Sequence, residues 1–322
     1  MDASISPDRI REASQTIDPV FLHTPQFTCE PLSARLGVTT VLKVESINPI
    51  RSFKGRGTDY LLHRLGAGDP THKNNQEIVC ASAGNFGQGM AYACRKARRS
   101  LTVFAARTAN PLKVQRMRDL GADVHLDGDD FDEAKDAAKR HAREHKKLYV
   151  EDGHLGAIAE GAGTIALELL ETEHDLDALF VPLGNGSLAN GIGTWLKHGA
   201  SSTRLIAVCA ENAPSMELSW KAARPIAAPS TTIADGIAVR VPVPQAVELM
   251  RAAIDEVMLV TDQEMRDAMR WLFTDAGIAS EPSAAAGVAA IAKRREQFGN
   301  KRVATVVTGG NLTEEQIREW LY

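Results

Sequence analysis

The chain has 322 residues, 44% of them hydrophobic and 24% charged, with a formal net charge of −4. These are ordinary values for a soluble globular protein and suit one large domain or two moderate ones. No basic surplus points to nucleic acid, no apolar run is long enough to span a bilayer, and the first five residues lack the basic and apolar regions of a signal peptide, so a cytoplasmic protein is expected.

Ser6-Pro7-Asp8, with Ile10 and Ala13 behind it, predicts a capped first helix. The β-rich run 38–44 predicts a strand, followed by a turn at Asn48-Pro49 and a helix near 57–65. The polar stretch 66–76 reads as a crossing between domains. A strand (77–81), a loop (82–85) and a helix (88–98) follow, then strand 101–105, helix 111–120, strand 123–126 and helix 130–145. A second series starts near Leu148, with a helix over 157–170, a strand over 178–183, a glycine loop and a helix over 189–198. Strand 204–210, helices 245–251, 262–275 and 283–297, and strand 302–307 complete it. Strands alternating with helices predict βαβ units, hence an α/β fold with parallel-rich sheets. Cys29, Cys80, Cys94 and Cys209 are scattered with no C-x-x-C pair and read as reduced thiols.

Four segments carry chemistry. In Asn48-Pro-Ile-Arg-Ser-Phe53-Lys54-Gly-Arg-Gly57 a lysine stands beside an aromatic residue and between glycines. An amine that attacks an aldehyde needs access and a lowered pKa, which Arg51 and Arg56 would promote; a basic surface turn would read the same way. Ser82-Ala83-Gly84-Asn85-Phe86 joins a strand to a helix, where small residues and a helix N-terminus suit a carboxylate; an ordinary capped turn is the plain alternative. Gly184-Asn185-Gly186-Ser187-Leu188 opens a helix after a strand, the setting of a phosphate cradle. Gly184, Gly186 and Ala189 also fit G-x-G-x-x-A, with Glu211 at the end of the next strand, so a nicotinamide dehydrogenase stays open at this point. Thr308-Gly309-Gly310-Asn311 places a hydroxyl at a strand end, where α/β sheets bind ligands and where a simple turn would look alike.

Read together and in order, these segments resemble the fold type II enzymes that use pyridoxal 5′-phosphate (PLP), in particular the threonine dehydratase and serine racemase branch. Ala234-Asp-Gly236-Ile-Ala238 and Glu281-Pro-Ser-Ala-Ala285 match as well, so the resemblance runs from about Pro25 to Asn311. It implies a two-domain fold like that of the tryptophan synthase β chain, with helices on both faces of its sheets. Residues 1–70 and 148–322 would form the large PLP-binding domain and residues 71–147 the small one, in a homodimer. It also implies that Lys54 holds the cofactor and moves the α-proton, that Phe53 flanks its ring, and that Asn85 contacts the 3′-oxygen. Gly184, Asn185, Gly186, Ser187 and Leu188 would hold the phosphate, Thr308 would face the pyridine nitrogen, and Gly236 and Glu281 would line the site. Ser82, Ala83, Gly84, Asn85 and Phe86 would bind the substrate carboxylate.

The implied reaction is β-elimination of water from a small L-hydroxy amino acid such as L-threonine or L-serine, giving ammonia and a 2-oxo acid. Phe86 stands where the dehydratase loop commonly has His, and Asn185 and Ser187 interrupt a loop that is usually all glycine. The Gly-Asn-Gly loop and Thr308 also look like threonine synthase, so a β- or γ-replacement enzyme is the alternative within the family. A protein that keeps the fold but only binds an amino acid is the alternative outside catalysis, and the intact Lys54 argues against it. Metal-dependent members of the family place oxygen ligands at positions matching Glu211, Ser215 and Glu217, which would suit Mg²⁺ or Ca²⁺; a solvated acidic turn is the plain alternative.

Overall fold

A computed structural model describes residues 3–67, 76–199 and 201–322. The elements of the first part are α1 (Pro7–Thr16), β1 (Gln26–Thr28), α2 (Glu30–Leu36), β2 (Thr39–Val44) and α3 (Lys54–Gly66). Next come β3 (Ile78–Ala81), α4 (Asn85–Lys96), β4 (Leu101–Ala105), α5 (Pro111–Asp119), β5 (Asp123–Leu126), α6 (Phe131–Glu144) and β6 (Leu148–Val150). The rest comprises α7 (Gly156–Thr172), β7 (Ala178–Pro182), α8 (Ser187–His198), β8 (Arg204–Ala210), α9 (Ser215–Ala222), α10 (Pro244–Ala253) and β9 (Glu256–Val260). α11 (Asp262–Ala276), α12 (Pro282–Lys293), α13 (Arg295–Phe298), β10 (Arg302–Val307) and α14 (Glu314–Leu321) close it.

The strands form two sheets. One has six strands in the order β1-β2-β10-β7-β8-β9, and the other has four in the order β5-β4-β3-β6. Among the described residues every pairing of these strands is parallel except that of β1 with β2. Parallel strands need crossover helices, so the sheets are covered on both faces and their strands read as unbroken apolar runs. Leu179 and Val181 face a core shared with α7, α8 and α10, whereas Phe180 between them faces α2, α11 and α12. In the smaller sheet Val79, Ala81 and Phe104 pack on the alanines of α6, while Ile78, Cys80 and Val103 pack on α3, α4 and α5. All four cysteines are buried and free. Among the described residues no helix is long and apolar enough to cross a membrane.

Most of the polar crossing expected at 66–76, and the expected boundary between residues 70 and 71, lie outside the described residues. At the other boundary, Leu148 pairs with Ile78, so the four-stranded sheet takes its last strand from residues just past 147. Helix α3 begins at Lys54, ahead of the expected start at Gly57. The glycines that read as punctuation are close-packing positions. A β-carbon on Gly55 would lie 2.3 Å from the Phe21 ring, and one on Gly57 would lie 2.4 Å from the Ile158 carbonyl oxygen. Ser6 does stand at the N-cap of α1, but its side chain makes no cap bond there. Its N–H instead donates to Glu160 Oε1 at 3.0 Å. The helix expected over 283–297 breaks at Arg294 into α12 and α13. The short elements β1, α2, α9, β9 and α14 were not expected.

Candidate active site

The C-terminal ends of both sheets open onto one cavity of about 390 Å³. Crevices at strand C-termini are where parallel α/β folds place ligands. The segments after β3, β6, β7 and β10 supply its walls, together with the start of α3, the start of α6 and residues 235–241. Phe53, Lys54, Ser82, Ala83, Gly84, Asn85, Phe86, Gly184, Asn185, Gly186, Ser187, Leu188, Gly236 and Thr308 all line it. Motifs up to about 250 residues apart in the chain are therefore brought together, as the sequence reading required.

Lys54 is the first residue of α3, where its side chain clears the helix and reaches the cavity. Its Nζ donates to Asp152 Oδ2 at 2.6 Å and to Ser187 Oγ at 3.3 Å, and lies 4.6 Å from the centre of the Phe53 ring. The same helix anchors itself two residues on. The Arg56 guanidinium is wholly buried and meets Glu45 Oε2 at 2.8 Å, Glu168 Oε1 at 2.7 Å and Thr164 Oγ1 at 2.9 Å. Lys43 Nζ completes the cluster 2.7 Å from Glu168 Oε2. Burial alone would push the Glu168 carboxyl up, but Arg56 and Lys43 hold it down at about 2. The cluster joins β2, α3 and α7, so it fixes the direction in which Lys54 leaves its helix.

Two helix N-termini point into the cavity. Helix α8 starts at Ser187, with Gly186 before it at φ +89°, a left-handed conformation that suits glycine. A β-carbon on Gly184 would come within 2.6 Å of the Gly236 carbonyl oxygen, so the loop needs glycine there too. The first N–H groups of a helix have no partner within it, and an anion can take them. Helix α4 starts at Asn85 in the same way. Ser82 Oγ accepts from the N–H groups of Gly84 at 3.2 Å and Gly87 at 2.9 Å, which curls the loop before that helix.

Lys113 of α5, which the sequence reading passed over, lies in the cavity wall. Its Nζ lies 2.6 Å from Asp235 Oδ2 and 3.2 Å from Glu281 Oε1. Burial would pull this ammonium's pKa down, but Glu281 and Asp235 outweigh it and hold it above the usual lysine range. Burial pushes the Glu281 carboxyl up; Lys113 opposes that shift and Asp235 adds to it, because one ammonium faces two acids. Glu281 does not itself line the cavity. It sits behind the wall, accepting from Asn85 Nδ2 at 2.8 Å and from the Asn311 N–H at 3.0 Å. Asn311 in turn donates to Asn85 Oδ1 at 2.9 Å, so the Asn85 amide is oriented from behind.

Arg240 was also missed. It reaches Asp132 Oδ2 at 2.5 Å and Asp130 Oδ2 at 3.0 Å, tying the 235–241 wall to the start of α6 across the cavity mouth. Asp152 and Lys135 line the cavity as well. Lys135 pairs with Glu151. Glu211, Ser215 and Glu217 do not line it. Glu217 pairs with Lys221, and Ser215 Oγ donates to the Val239 carbonyl at 2.6 Å, which supports the cavity wall from behind. Among the described residues no group of three or more His, Cys, Asp and Glu side chains is arranged to hold a metal ion.

A mostly buried lysine, two helix N-termini and the Thr308 hydroxyl thus share one cavity. The family described as pyridoxal-phosphate dependent enzyme matches residues 17–309 of the chain. The L-threonine ammonia-lyase of Thermotoga maritima is 33% identical over 314 residues, covering 97% of this chain and 77% of that protein. Among solved structures, a pyridoxal 5′-phosphate-dependent aspartate racemase aligns with TM-score 0.89 at 27% identity, over 98% of each chain. The processed threonine deaminase isoform 2 of Solanum lycopersicum aligns with TM-score 0.88 at 27% identity, over 99% of this chain and 94% of that one.

Proposed function

The chain belongs to the family of pyridoxal-phosphate dependent enzymes, and from that premise we propose that it is an ammonia-lyase, removing water from a small L-hydroxy amino acid such as L-threonine or L-serine and releasing ammonia and a 2-oxo acid. The observation that carries this reading is the meeting of Lys54, the 184–188 loop and Thr308 in one cavity, in a chain whose relatives include an L-threonine ammonia-lyase.

The residues fit the cofactor. The left-handed Gly186 and the crowding at Gly184 leave a loop whose N–H groups would hold a phosphate. Phe53 would flank the ring, Asn85 would reach its 3′-oxygen, and Lys54 would bond its aldehyde. When bound, PLP supplies an electron sink for the bond that breaks at the substrate α-carbon. Lys54 would take up the α-proton. The N–H groups at the start of α4, with Ser82 and Asn85, would hold the substrate carboxylate and so orient the α-hydrogen toward Lys54. Thr308 would face the pyridine nitrogen with a neutral hydroxyl. Such a group stabilises charge there less than a carboxylate would, which favours immediate loss of a β-leaving group. Gly236 would border the cofactor, and Glu281 would act from behind through Asn85.

A β- or γ-replacement reaction is the second reading, favoured by Asn185 and Ser187 in the phosphate loop together with Thr308. We extend the proposal to a homodimer in the cytoplasm, divided into residues 1–70 with 148–322 and residues 71–147. It also includes a divalent cation at Glu211, Ser215 and Glu217, supported by their oxygen donors; the cation would have to displace Lys221 from Glu217. Loss of activity on chelation tests the cation. An absorbance spectrum, followed by an assay of L-amino acids for 2-oxo acid release, tests the function. Release from L-threonine or L-serine is expected, and a cofactor-loaded protein that acts on neither overturns the reading.

A further inference from the structure

We propose that Asp152 is a further catalytic residue of this site: its carboxylate holds the ammonium that Lys54 becomes on taking up the substrate α-proton. The inference rests on the reading of Lys54 as the base. The two side chains meet at 2.6 Å, with 15% and 10% of their surfaces exposed. At that burial a carboxylate and an ammonium are weakly screened, so the pair counts for more than a surface ion pair.

Three features mark Asp152 as built for the cavity. It stands two residues past the end of β6, at the strand C-terminus on the ligand side of its sheet. The next residue, Gly153, is left-handed at φ +85°, and a β-carbon there would lie 2.4 Å from the Asn185 carbonyl oxygen. The turn that carries Asp152 is therefore packed, backbone to backbone, on the loop 184–188. Finally, Asp152 Oδ1 is buried with no hydrogen-bond partner, although buried carboxylate oxygens are ordinarily satisfied. One oxygen engages Lys54 and the other has no partner of its own. An ionised carboxylate can only accept, so it suits an ammonium, an amine or a hydroxyl and disfavours an anion.

The chemistry balances. The Cα–H bond breaks and its proton forms a new N–H bond on Lys54 Nζ. The electron pair becomes the second Cα–Cβ bond as the Cβ–O bond breaks. The departing hydroxide takes a proton, so water leaves and Nζ returns to a neutral amine. Between these events Nζ is positive within the cavity wall, where its side chain is only 15% exposed, and Asp152 stabilises that charge without moving. Ser187 Oγ is the second acceptor at 3.3 Å, and the third donor of the ammonium remains to reach the leaving group.

The test compares wild type, Asp152→Asn and Asp152→Glu, each loaded with PLP and checked for cofactor content by absorbance. Two rates are measured: exchange of the L-alanine α-hydrogen with deuterium from solvent, and 2-oxo acid release from L-serine. L-alanine has no leaving group at the β-carbon, so its exchange reports proton transfer alone. Asp152→Asn is expected to keep its cofactor and lose about tenfold to a hundredfold in exchange, at or below the lower end of what a positioned acid–base group contributes, because Asp152 acts through its contact with Lys54 Nζ. Asp152→Glu should recover part of that loss. Exchange by a loaded Asp152→Asn protein within twofold of wild type overturns the proposal and leaves elimination intact. Wild type that exchanges without releasing 2-oxo acid overturns elimination and leaves the role of Asp152 intact. Wild type that releases 2-oxo acid without exchanging L-alanine moves the Asp152 comparison to the release rate, where Asp152→Asn within twofold of wild type overturns the proposal; wild type that does neither overturns both.

Discussion

Phe53 and Thr308 are joined through the backbone: the N–H of Phe53 donates to the carbonyl oxygen of Thr308 at 3.0 Å. An isolated bridge between Ser52 and Gly309 lies beside it. The start of the lysine helix is thus fastened to the end of the last strand by main-chain contacts that no side-chain replacement removes. Lys54→Ala should accordingly leave the fold in place while abolishing the visible absorbance of bound cofactor and the release of 2-oxo acid. Circular dichroism and absorbance on one sample check both statements, and full turnover by the variant would sink the assignment of Lys54.

Gly186→Val puts a β-branched residue at φ +89° beside Asn190 Nδ2 and the Ala246 methyl, at 3.1 and 3.2 Å from its new β-carbon. Strain of about 1–3 kcal/mol is expected at such a position. Both the loop and the N–H groups it aims should shift. We expect PLP affinity to fall at least tenfold while the melting temperature falls by only a few degrees. A titration showing unchanged cofactor affinity would count against the phosphate-loop assignment.

The buried cluster around Arg56 predicts a response to acid. Glu168 ordinarily titrates near 4.5 and in the fold is held at about 2. A depressed carboxylate contributes stability that is fully present above its unfolded pKa and lost as pH falls through the folded one. The loss should therefore run from about pH 5 down to about pH 2, and it should amount to on the order of 3 kcal/mol. Denaturant melts at several pH values measure it. Arg56→Leu leaves Glu45 without its counter-ion and Glu168 with Lys43 alone in the interior, and should cost about 3–5 kcal/mol near neutral pH while flattening that acid dependence.

Ala83 bears on stereochemistry. Racemisation needs an acid or base on each face of the α-carbon, and a methyl group can neither give nor take a proton. Ala83 lines the cavity in the loop expected to hold the substrate. L-serine should therefore yield pyruvate with little D-serine, and Ala83→Ser should raise the D-serine fraction. Chiral chromatography decides: D-serine forming as fast as pyruvate in the wild type would show that another residue serves the second face.

The four motifs were legible because each is local, a strand end with the few residues after it. What joins them is not local. Lys54 meets Asp152 from 98 residues away, Lys113 meets Asp235 from 122, and Arg56 meets Glu168 from 112. No spacing rule reaches that far, so Asp152, Lys113 and Arg240 stayed invisible, and Arg56 read as a neighbour tuning Lys54 when it is in fact a buried anchor. Other omissions had signals that were passed over. Thr313 and Gln316 form a capping box at the start of α14, and Pro31 with the left-handed Gly37 brackets α2. Gly55 and Gly57 misled because a glycine chosen for close packing looks like one chosen to end a helix.

The strand order has a consequence for how the chain is made. β10 comes last in chain order among the six strands of the larger sheet, yet it lies in its middle, between β2 and β7. Until residues 302–307 have emerged, β2 lacks its inner neighbour and β7 lacks one of its two, so apolar strands made well over a hundred residues earlier, in the case of β2, and about a hundred earlier, in the case of β7, present open edges. The larger sheet can only be completed after residues 302–307 have been made, and a nascent chain, or one ended before them, is a natural client for chaperones and proteases.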